Sequence, residues 1–493
     1  MFKQQETRVI LRFFINLSCM KFFIALLSMI LITACAMVGP DYEGAPEVDL
    51  PESWNHKLGE QFVAGEINLA SWWANLDDQT LDELIKEASK DNLDIRIALS
   101  RVEEARANYG IVDSLRFPEI DAEGGVTRAK TSESASYSPA ITDTYSTIGL
   151  DLGWEIDVFG FVRRSIEAAD AEIDASIEHY RDVMVVLYAE IAKTYITART
   201  DQARLIFAEQ NVQNQKETLG IVEARYSAEL VSEIDVFQSR QNLAASEAAI
   251  PLLKAARERS INRLAVLLGK RPGYLEGILA DPQPIPEPPE QITLALPTEI
   301  LRQRPDIRKA ERELAAQTAR IGISVAEMYP RFSLGGTIGV SKASDNSGST
   351  EYYSFGPTFT WELFNAGRNK AEVKVQDERL EQARASYENT VLQALEEVEN
   401  ALIAYNEEKI RVFKIKESVD ASRNVNEITR SRYSAGLIDF QEVLDAQRVM
   451  FDQEDDFARS QGNLVKFLVD IYEAMGGGWD ESQLGARDEN RTE

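Results

Sequence analysis

The sequence predicts an α+β membrane protein in which one architectural unit occurs twice, each copy supplying two amphipathic β-strands and a set of long helices. Three observations carry that prediction. Residue patterns recur at a constant spacing, two stretches alternate apolar and polar residues, and proline-free helical runs extend for about 60 residues.

The chain opens on an address rather than a domain. Residues 22–34 form an apolar run flanked by Lys21. It is too short to span a bilayer, which takes about 20 residues, and suits a secretory signal peptide over 1–34. Met20 is an alternative start that would leave 1–19 untranslated. The run ends Ile32-Thr33-Ala34-Cys35, which resembles a bacterial lipobox, so Cys35 is the expected site of acylation; an ordinary signal peptide with an incidental cysteine is the other reading. Ala36 follows where an Asp would favour inner-membrane retention, which by the same resemblance directs the lipoprotein to the outer membrane. Val38-Gly39-Pro40-Asp41-Tyr42, then Pro46, Pro51 and Trp54, is Pro-rich and aperiodic, so 35–72 reads as an extended, lipidated arm.

The repeat follows. Trp154-Glu155 recurs 207 residues later as Trp361-Glu362, Gly160 as Gly367, Arg225-Tyr226-Ser227-Ala228 as Arg432-Tyr433-Ser434-Ala435, Val236 as Val443 and Gly269 as Gly476. Upstream the spacing is 212: Asp94-Ile95-Arg96 matches Asp306-Ile307-Arg308, and Phe117-Pro118 matches Tyr329-Pro330. The first repeat therefore covers 73–270 and the second 298–478. Between them 271–297 carries seven prolines and reads as a stiff, extended linker, and 479–493 reads as a disordered tail.

Each repeat reads helix, strand, strand, helix, helix. The first helix runs over about 92–115 and, in the second repeat, 306–328; Pro118 and Pro330 end these helices and start the strands. Ile148, Leu150, Leu152, Trp154 and Ile156 alternate with Thr147, Gly149, Asp151, Gly153 and Glu155. Tyr353, Phe355, Pro357, Phe359, Trp361 and Leu363 alternate with Ser354, Gly356, Thr358, Thr360 and Glu362. Period two with an aromatic apolar face fits a membrane strand with lipid on one side and water on the other, although a soluble sandwich strand alternates likewise. Residues 129–143 and 341–352, rich in Ser, Thr and Asp, read as hairpin loops.

The next helix runs from about Arg163 to Tyr226 without a proline, about 90 Å at 1.5 Å per residue. Met184, Tyr188, Ile191, Tyr195 and Ala198 step by four and three, and Val391, Leu395, Val398, Leu402 and Tyr405 repeat the steps, which is coiled-coil spacing. Pro251 interrupts the partner helix where the second repeat has Ala458, predicting a kink in the first repeat only.

Four membrane strands cannot close a barrel, and an open edge in lipid leaves backbone groups unsatisfied at several kcal/mol each. Copies of the chain must close the sheet: two give eight strands, three give twelve, and only the larger leaves room for a channel.

Taken together, these features resemble the TolC-type outer-membrane efflux protein family, in its lipoprotein branch serving RND-type pumps, over essentially the whole mature chain. The most specific match is Leu296-Pro297-Thr298-Glu299-Ile300-Leu301-Arg302-Gln303-Arg304-Pro305-Asp306-Ile307, supported by the Pro40-Asp41-Tyr42 arm and Tyr433-Ser434-Ala435-Gly436. The resemblance implies a homotrimer with a twelve-stranded barrel in outer-membrane lipid and a helical periplasmic tunnel. It also implies docking to a periplasmic adaptor and an inner-membrane RND-type pump.

Helix-to-helix turns fall near Ala228–Ser232 and Ala435–Asp439. Gly436 suits a left-handed turn; Glu229, its counterpart, does not, so the first turn is expected to differ. By resemblance, Tyr226, Ser227, Ala228, Tyr433, Ser434, Ala435 and Gly436 form the tip that docks the adaptor. Asp445 and Arg448 match residues that hold the periplasmic gate, each meeting a partner on an adjacent helix or subunit. Glu442 matches an acidic gate position, and Gln441 stands where the branch often has an apolar plug. Three copies would bring the carboxylates to one axis, where like charges attract cations; a solvated helix face is the alternative.

Composition narrows the function classes. A formal net charge of -28 argues against a nucleic-acid partner. The only cysteines are Cys19 and Cys35 and the only histidines His56 and His179, so neither a thiolate metal site nor a disulfide is expected in the mature body. No nucleophile–base pair, metal cluster or phosphate loop stands out, so neither an enzyme nor a cofactor is expected. A soluble coiled-coil scaffold is opposed by the lipobox and the aromatic strands. The leading reading is a passive duct for drugs, detergents or metal ions; the runner-up is a protein-secretion duct.

Overall fold

The computed structural model describes residues 37–55, 61–64, 69–130, 142–344 and 348–480. The signal peptide, Cys19, Cys35 and His56 lie outside the described residues. In chain order the elements are β1 (Phe62–Ala64), α1 (Gln79–Asp91), α2 (Leu93–Asp113), β2 (Glu119–Lys130), β3 (Thr142–Ile156), α3 (Phe161–Ser227), α4 (Glu233–Leu267), β4 (Ile292–Leu294), α5 (Pro297–Gln303), α6 (Pro305–Ala326), β5 (Arg331–Ala343), β6 (Ser349–Thr360), α7 (Arg368–Ser434) and α8 (Phe440–Ala474). Helices α3 and α7 have 67 residues each and α4 and α8 have 35 each, so the 207-residue repeat holds without a gap through both hairpins.

Of the described residues, those in 37–46, 102–175 and 310–387 form one compact unit; those in 47–101, 176–309 and 388–480 form the other. The first unit holds a four-stranded antiparallel sheet in the order β2-β3-β5-β6. Ile120, Leu152, Gly336 and Phe355 share one rung, and Ala122, Leu150, Ile338 and Tyr353 the next. The alternation predicted for single strands is thus in phase across all four. On the apolar face Ile148, Tyr353 and Phe355 are 69%, 84% and 71% exposed in the single chain, so this face is not a core.

The hairpin loops are shorter than expected. Lys130 pairs with Thr142 and Lys342 with Ser349, so most of 341–352 is strand. The ladder joins backbone groups and tolerates Ser and Thr on both faces.

At the helix-bearing end of this unit the N-terminal arm is held down. Val38 N–H donates to Phe159 O (3.2 Å). The Arg164 guanidinium donates to Val38 O (3.2 Å), Gly39 O (3.3 Å) and Asp41 (2.6 Å). Gly39 (φ +86°) lies on Gly322, where a Cβ would come within 2.5 Å of the Gly322 Cα.

The second unit has a helical core. Met184, Tyr188, Ile191, Tyr195 and Ala198 are all buried, as are Val391, Val398, Leu402 and Tyr405, while Leu395 is partly buried; this is the stripe that heptad spacing predicts, complete but for Leu395. Trp72, fully buried, stacks on Tyr472 with ring centroids 5.2 Å apart. Helix α4 continues through Pro251.

Two expectations change in this unit. The linker is not merely a spacer: β4 pairs in parallel with β1 of the arm, and Leu275, Leu279, Ile292 and Leu294 are buried. Each segment is too short to form a sheet alone, and pairing satisfies the backbone of both. The tail does not begin at 479, because Trp479 donates Nε1–H to Gln303 O (3.2 Å) and carries Arg181 and Arg308 at 4.5 and 5.1 Å from its ring.

Candidate functional site at the helical hairpin tips

The α7–α8 turn is closed by Gly436 N–H to Tyr433 O (2.9 Å) and Leu437 N–H to Arg432 O (3.0 Å), with Gly436 at φ +76°. The α3–α4 turn is closed by the equivalent bonds, Glu229 N–H to Tyr226 O (2.9 Å) and Leu230 N–H to Arg225 O (3.0 Å), with Glu229 at φ +58°. The first turn therefore does not differ: Glu229 takes the left-handed conformation at a cost of roughly 1–2 kcal/mol, because the same backbone bonds and the same packing close both hairpins.

That packing joins Val222, Val236, Tyr433, Phe440 and Val443 into one buried cluster. Arg225 donates to Tyr433 O and lies 4.5 Å from the centroid of the Tyr433 ring. Tyr433, expected on the docking surface, is 2% exposed, and burial pushes its phenol above the ordinary value. Ring, cation and carbonyl tie one hairpin to the other. Tyr226, Ser227, Ala228, Ser434, Ala435 and Gly436 are exposed.

Beside them Leu230, Ile234, Phe237 and Leu437 are all at least 58% exposed, an apolar patch that the sequence reading did not single out. Nor did it single out Arg225, although Arg225 opens the repeated Arg-Tyr-Ser-Ala quartet.

Gln441, Glu442, Asp445 and Arg448 occupy the first turns of α8, with Gln441, Glu442 and Arg448 exposed. Arg448 pairs with Asp445 at 3.1 Å, three residues apart on one helix, and Gln441 Nε2–H donates to the other Asp445 oxygen at 3.3 Å. Asp445 and Arg448 thus find each other rather than a partner on an adjacent helix of the same chain, because spacing of three brings side chains together on a helix surface.

The sheet carries a second set of polar groups. On the face opposite the apolar one, Asp121 pairs across from Asp151, and Glu119 and Glu123 lie opposite Gly153 and Gly149. Gly149 and Gly339 make room there for the Tyr352 hydroxyl, which a Cβ on Gly339 would meet at 2.5 Å.

In the second unit Asp182, Arg304, Asp306, Glu397, Asp470 and Glu473 line a cavity of about 610 Å³. Arg304 donates to Asp306 (2.6 Å), Glu397 (2.7 Å) and Ala474 O (2.7 Å), which gives the Arg304-Pro305-Asp306 motif a structural task. Burial, with the negative charge of Asp306 beside it, pushes the Asp182 carboxyl up to about 6. Among the described residues no group of three or more His, Cys, Asp or Glu is placed to hold a metal ion, and no helix is long and apolar enough to cross a membrane.

The family model for outer membrane efflux proteins matches residues 84–270 and 296–477. Outer membrane protein OprJ of Pseudomonas aeruginosa is 30% identical over 93% of this chain and 96% of its own length. The solvent efflux pump outer membrane protein SrpC of Pseudomonas putida is 31% identical over 92% and 98%, and the cation efflux system protein CusC of Escherichia coli is 28% identical over 91% and 97%. Among solved structures, the outer-membrane channel OprN is 34% identical with a TM-score of 0.83, covering 90% of this chain and 99% of that one. The MtrE outer membrane channel of Neisseria gonorrhoeae, in its open state, is 26% identical with a TM-score of 0.74, covering 90% and 99%.

Proposed function

The chain belongs to the outer membrane efflux protein family and is the outer-membrane channel of an efflux system, and within that role we propose that it works as a homotrimeric passive duct for small molecules. The observation that supports this most directly is the four-stranded sheet with one apolar and one polar face and with both edges, β2 and β6, unpaired among the described residues of the single chain. An unpaired edge in lipid costs several kcal/mol per backbone group, so three chains closing twelve strands satisfy every edge and leave an aqueous lumen lined by Glu119, Asp121, Glu123, Asp151 and Glu155.

The helical hairpins then extend into the periplasm. Their tips, Tyr226 to Ala228 and Ser434 to Gly436 with the neighbouring apolar Leu230 and Leu437, dock a periplasmic adaptor that connects the duct to an inner-membrane RND-type pump. Gln441, Glu442, Asp445 and Arg448 form the entrance that the adaptor opens. Cys35 carries the lipid anchor. The cargo class is drugs, detergents or metal ions.

The test is deletion of the gene followed by sensitivity profiling. Raised sensitivity to drugs, detergents or metals, restored by the intact gene, is the expected result. Unchanged sensitivity together with loss of one or more secreted proteins would replace this reading with a protein-secretion duct.

A further inference from the structure

Charge is segregated across the four-stranded sheet. Its strands contain four basic residues and seven acidic ones. Glu119, Asp121, Glu123, Asp143, Asp151 and Glu155 fall on the polar face, and only Glu351 falls on the apolar face. The bases divide the other way: Arg128, Lys130 and Lys342 share the apolar face, and only Arg331 is on the polar face, beside Glu155 at 4.0 Å.

The three bases are also confined to one end. Following the rungs from the helix end, the apolar face carries Ile156, Phe332 and Phe359, then Trp154, Leu334 and Pro357, then Ile120, Leu152, Gly336 and Phe355. Ala122, Leu150, Ile338 and Tyr353 follow, and then Gly124, Ile148, Val340 and Glu351. Ile156 to Ile148 is about 27 Å along a strand, comparable with the apolar band of about 25 Å in outer-membrane barrels. The next rung changes character to Val126, Ser146, Lys342 and Ser349, followed by Arg128 with Thr144 and Lys130 with Thr142. All three bases are exposed. Among the described residues, three cations against one carboxylate therefore stand at the hairpin margin of the apolar band, on the side that meets lipid, in a chain whose net charge is -28.

We propose that Arg128, Lys130 and Lys342 form a binding site for the phosphate groups of an anionic glycolipid in the outer leaflet. The inference rests on the reading of the sheet as part of an outer-membrane barrel whose hairpins face outward. Arg128 can present two parallel N–H donors to one phosphate, and Lys130 and Lys342 act as point charges beside it. The site lies where the apolar band ends, so acyl chains pack on Ile148, Ile338 and Tyr353 while the headgroup reaches the cations. Thr144, Ser146 and Ser349 add short hydroxyl partners.

The test is native mass spectrometry of the full-length trimer in detergent, titrated with bis-phosphorylated lipid A, with its dephosphorylated form and with phosphatidylethanolamine. The wild-type protein should take up the phosphorylated glycolipid saturably and the other two at least tenfold more weakly. In the triple variant R128Q/K130Q/K342Q the preference should disappear. Equal uptake of phosphorylated and dephosphorylated lipid, or an unchanged preference in the triple variant, would overturn the proposal. Complete competition by millimolar inorganic phosphate would show a plain phosphate site and not a lipid site. If the triple variant fails to assemble, Lys342→Glu alone should lower uptake at least threefold, and an unaltered titration would again overturn the proposal. Single-channel conductance of the wild-type protein separates the two readings. A protein that never inserts refutes the barrel itself, whereas one that conducts normally without lipid preference refutes only the glycolipid site.

Discussion

Arg164, 1% exposed at the start of α3, holds Asp41 of the N-terminal arm at 2.6 Å although Asp41 is itself 77% exposed. The pair is asymmetric. The guanidinium also donates to two arm carbonyls and to Glu167, so two of its three partners on the arm are backbone groups. Arg164→Met should therefore free the arm, raising amide hydrogen exchange over 37–46 at least tenfold. Asp41→Asn, at the exposed partner, should change it by less than about 1 kcal/mol equivalent. Equal effects would mean that the ion pair alone holds the arm.

The two tip turns respond oppositely to the same residue. Glu229 and Gly436 share one backbone form, with φ +58° and +76°. Glu229→Gly should relieve strain and be neutral or stabilising by up to about 1 kcal/mol, whereas Gly436→Val should destabilise its turn by roughly 1–2 kcal/mol. Proteolysis rates at the tips would rank the variants, and a destabilising Glu229→Gly would show that its side chain has another task.

Asp445 and Arg448 are half or more exposed, and their 3.1 Å pair within one helix contributes little on its own. As gate residues they would exchange that contact for one across the pore axis. Asp445→Ala with Arg448→Ala should raise single-channel conductance in planar bilayers and sensitise cells to large antibiotics, with trimer yield unchanged. Unaltered conductance in a properly assembled double variant would leave these residues as a solvated helix face.

The pH dependence follows from Asp182. Its carboxyl is raised from 3.8 to about 6 by burial and by Asp306, so the fold disfavours its charged form. The resulting penalty is absent below the unfolded value, grows between about 4 and 6 and is complete above 6. Asp182→Asn should stabilise the protein at pH 7–8 by of order 1 kcal/mol and leave it unchanged at pH 4, measured as thermal or denaturant midpoints. A gain that is constant with pH would assign the effect to packing.

Palmitate labelling tests the anchor, which lies outside the described residues. Label should be present in the intact chain and lost in Cys35→Ser. A mature N-terminus elsewhere, or label that persists, would refute acylation at Cys35.

The features legible in the sequence were periodicities. The heptad steps from Met184 to Ala198, the alternation from Ile148 to Ile156 and the 207-residue spacing each repeat within or between short windows, and each reappears as a buried stripe, a sheet face or a pair of equal helices. The turn at Glu229 departs from its residue preference because propensity is local and the hairpin cluster outweighs it.

By itself, then, the sequence determined which residues are helical, which alternate, and that one unit is used twice, because backbone geometry imposes those periods on neighbouring positions. Only the tertiary structure decided that Arg225 is tied to Tyr433 across 208 residues, that β4 of the linker pairs with β1 of the arm, and that Arg164 donates to the arm's carbonyls. Such contacts join single residues far apart in the chain. They leave no period to read, and they form because a buried cation or an unpaired strand must find a partner wherever the fold brings one within reach.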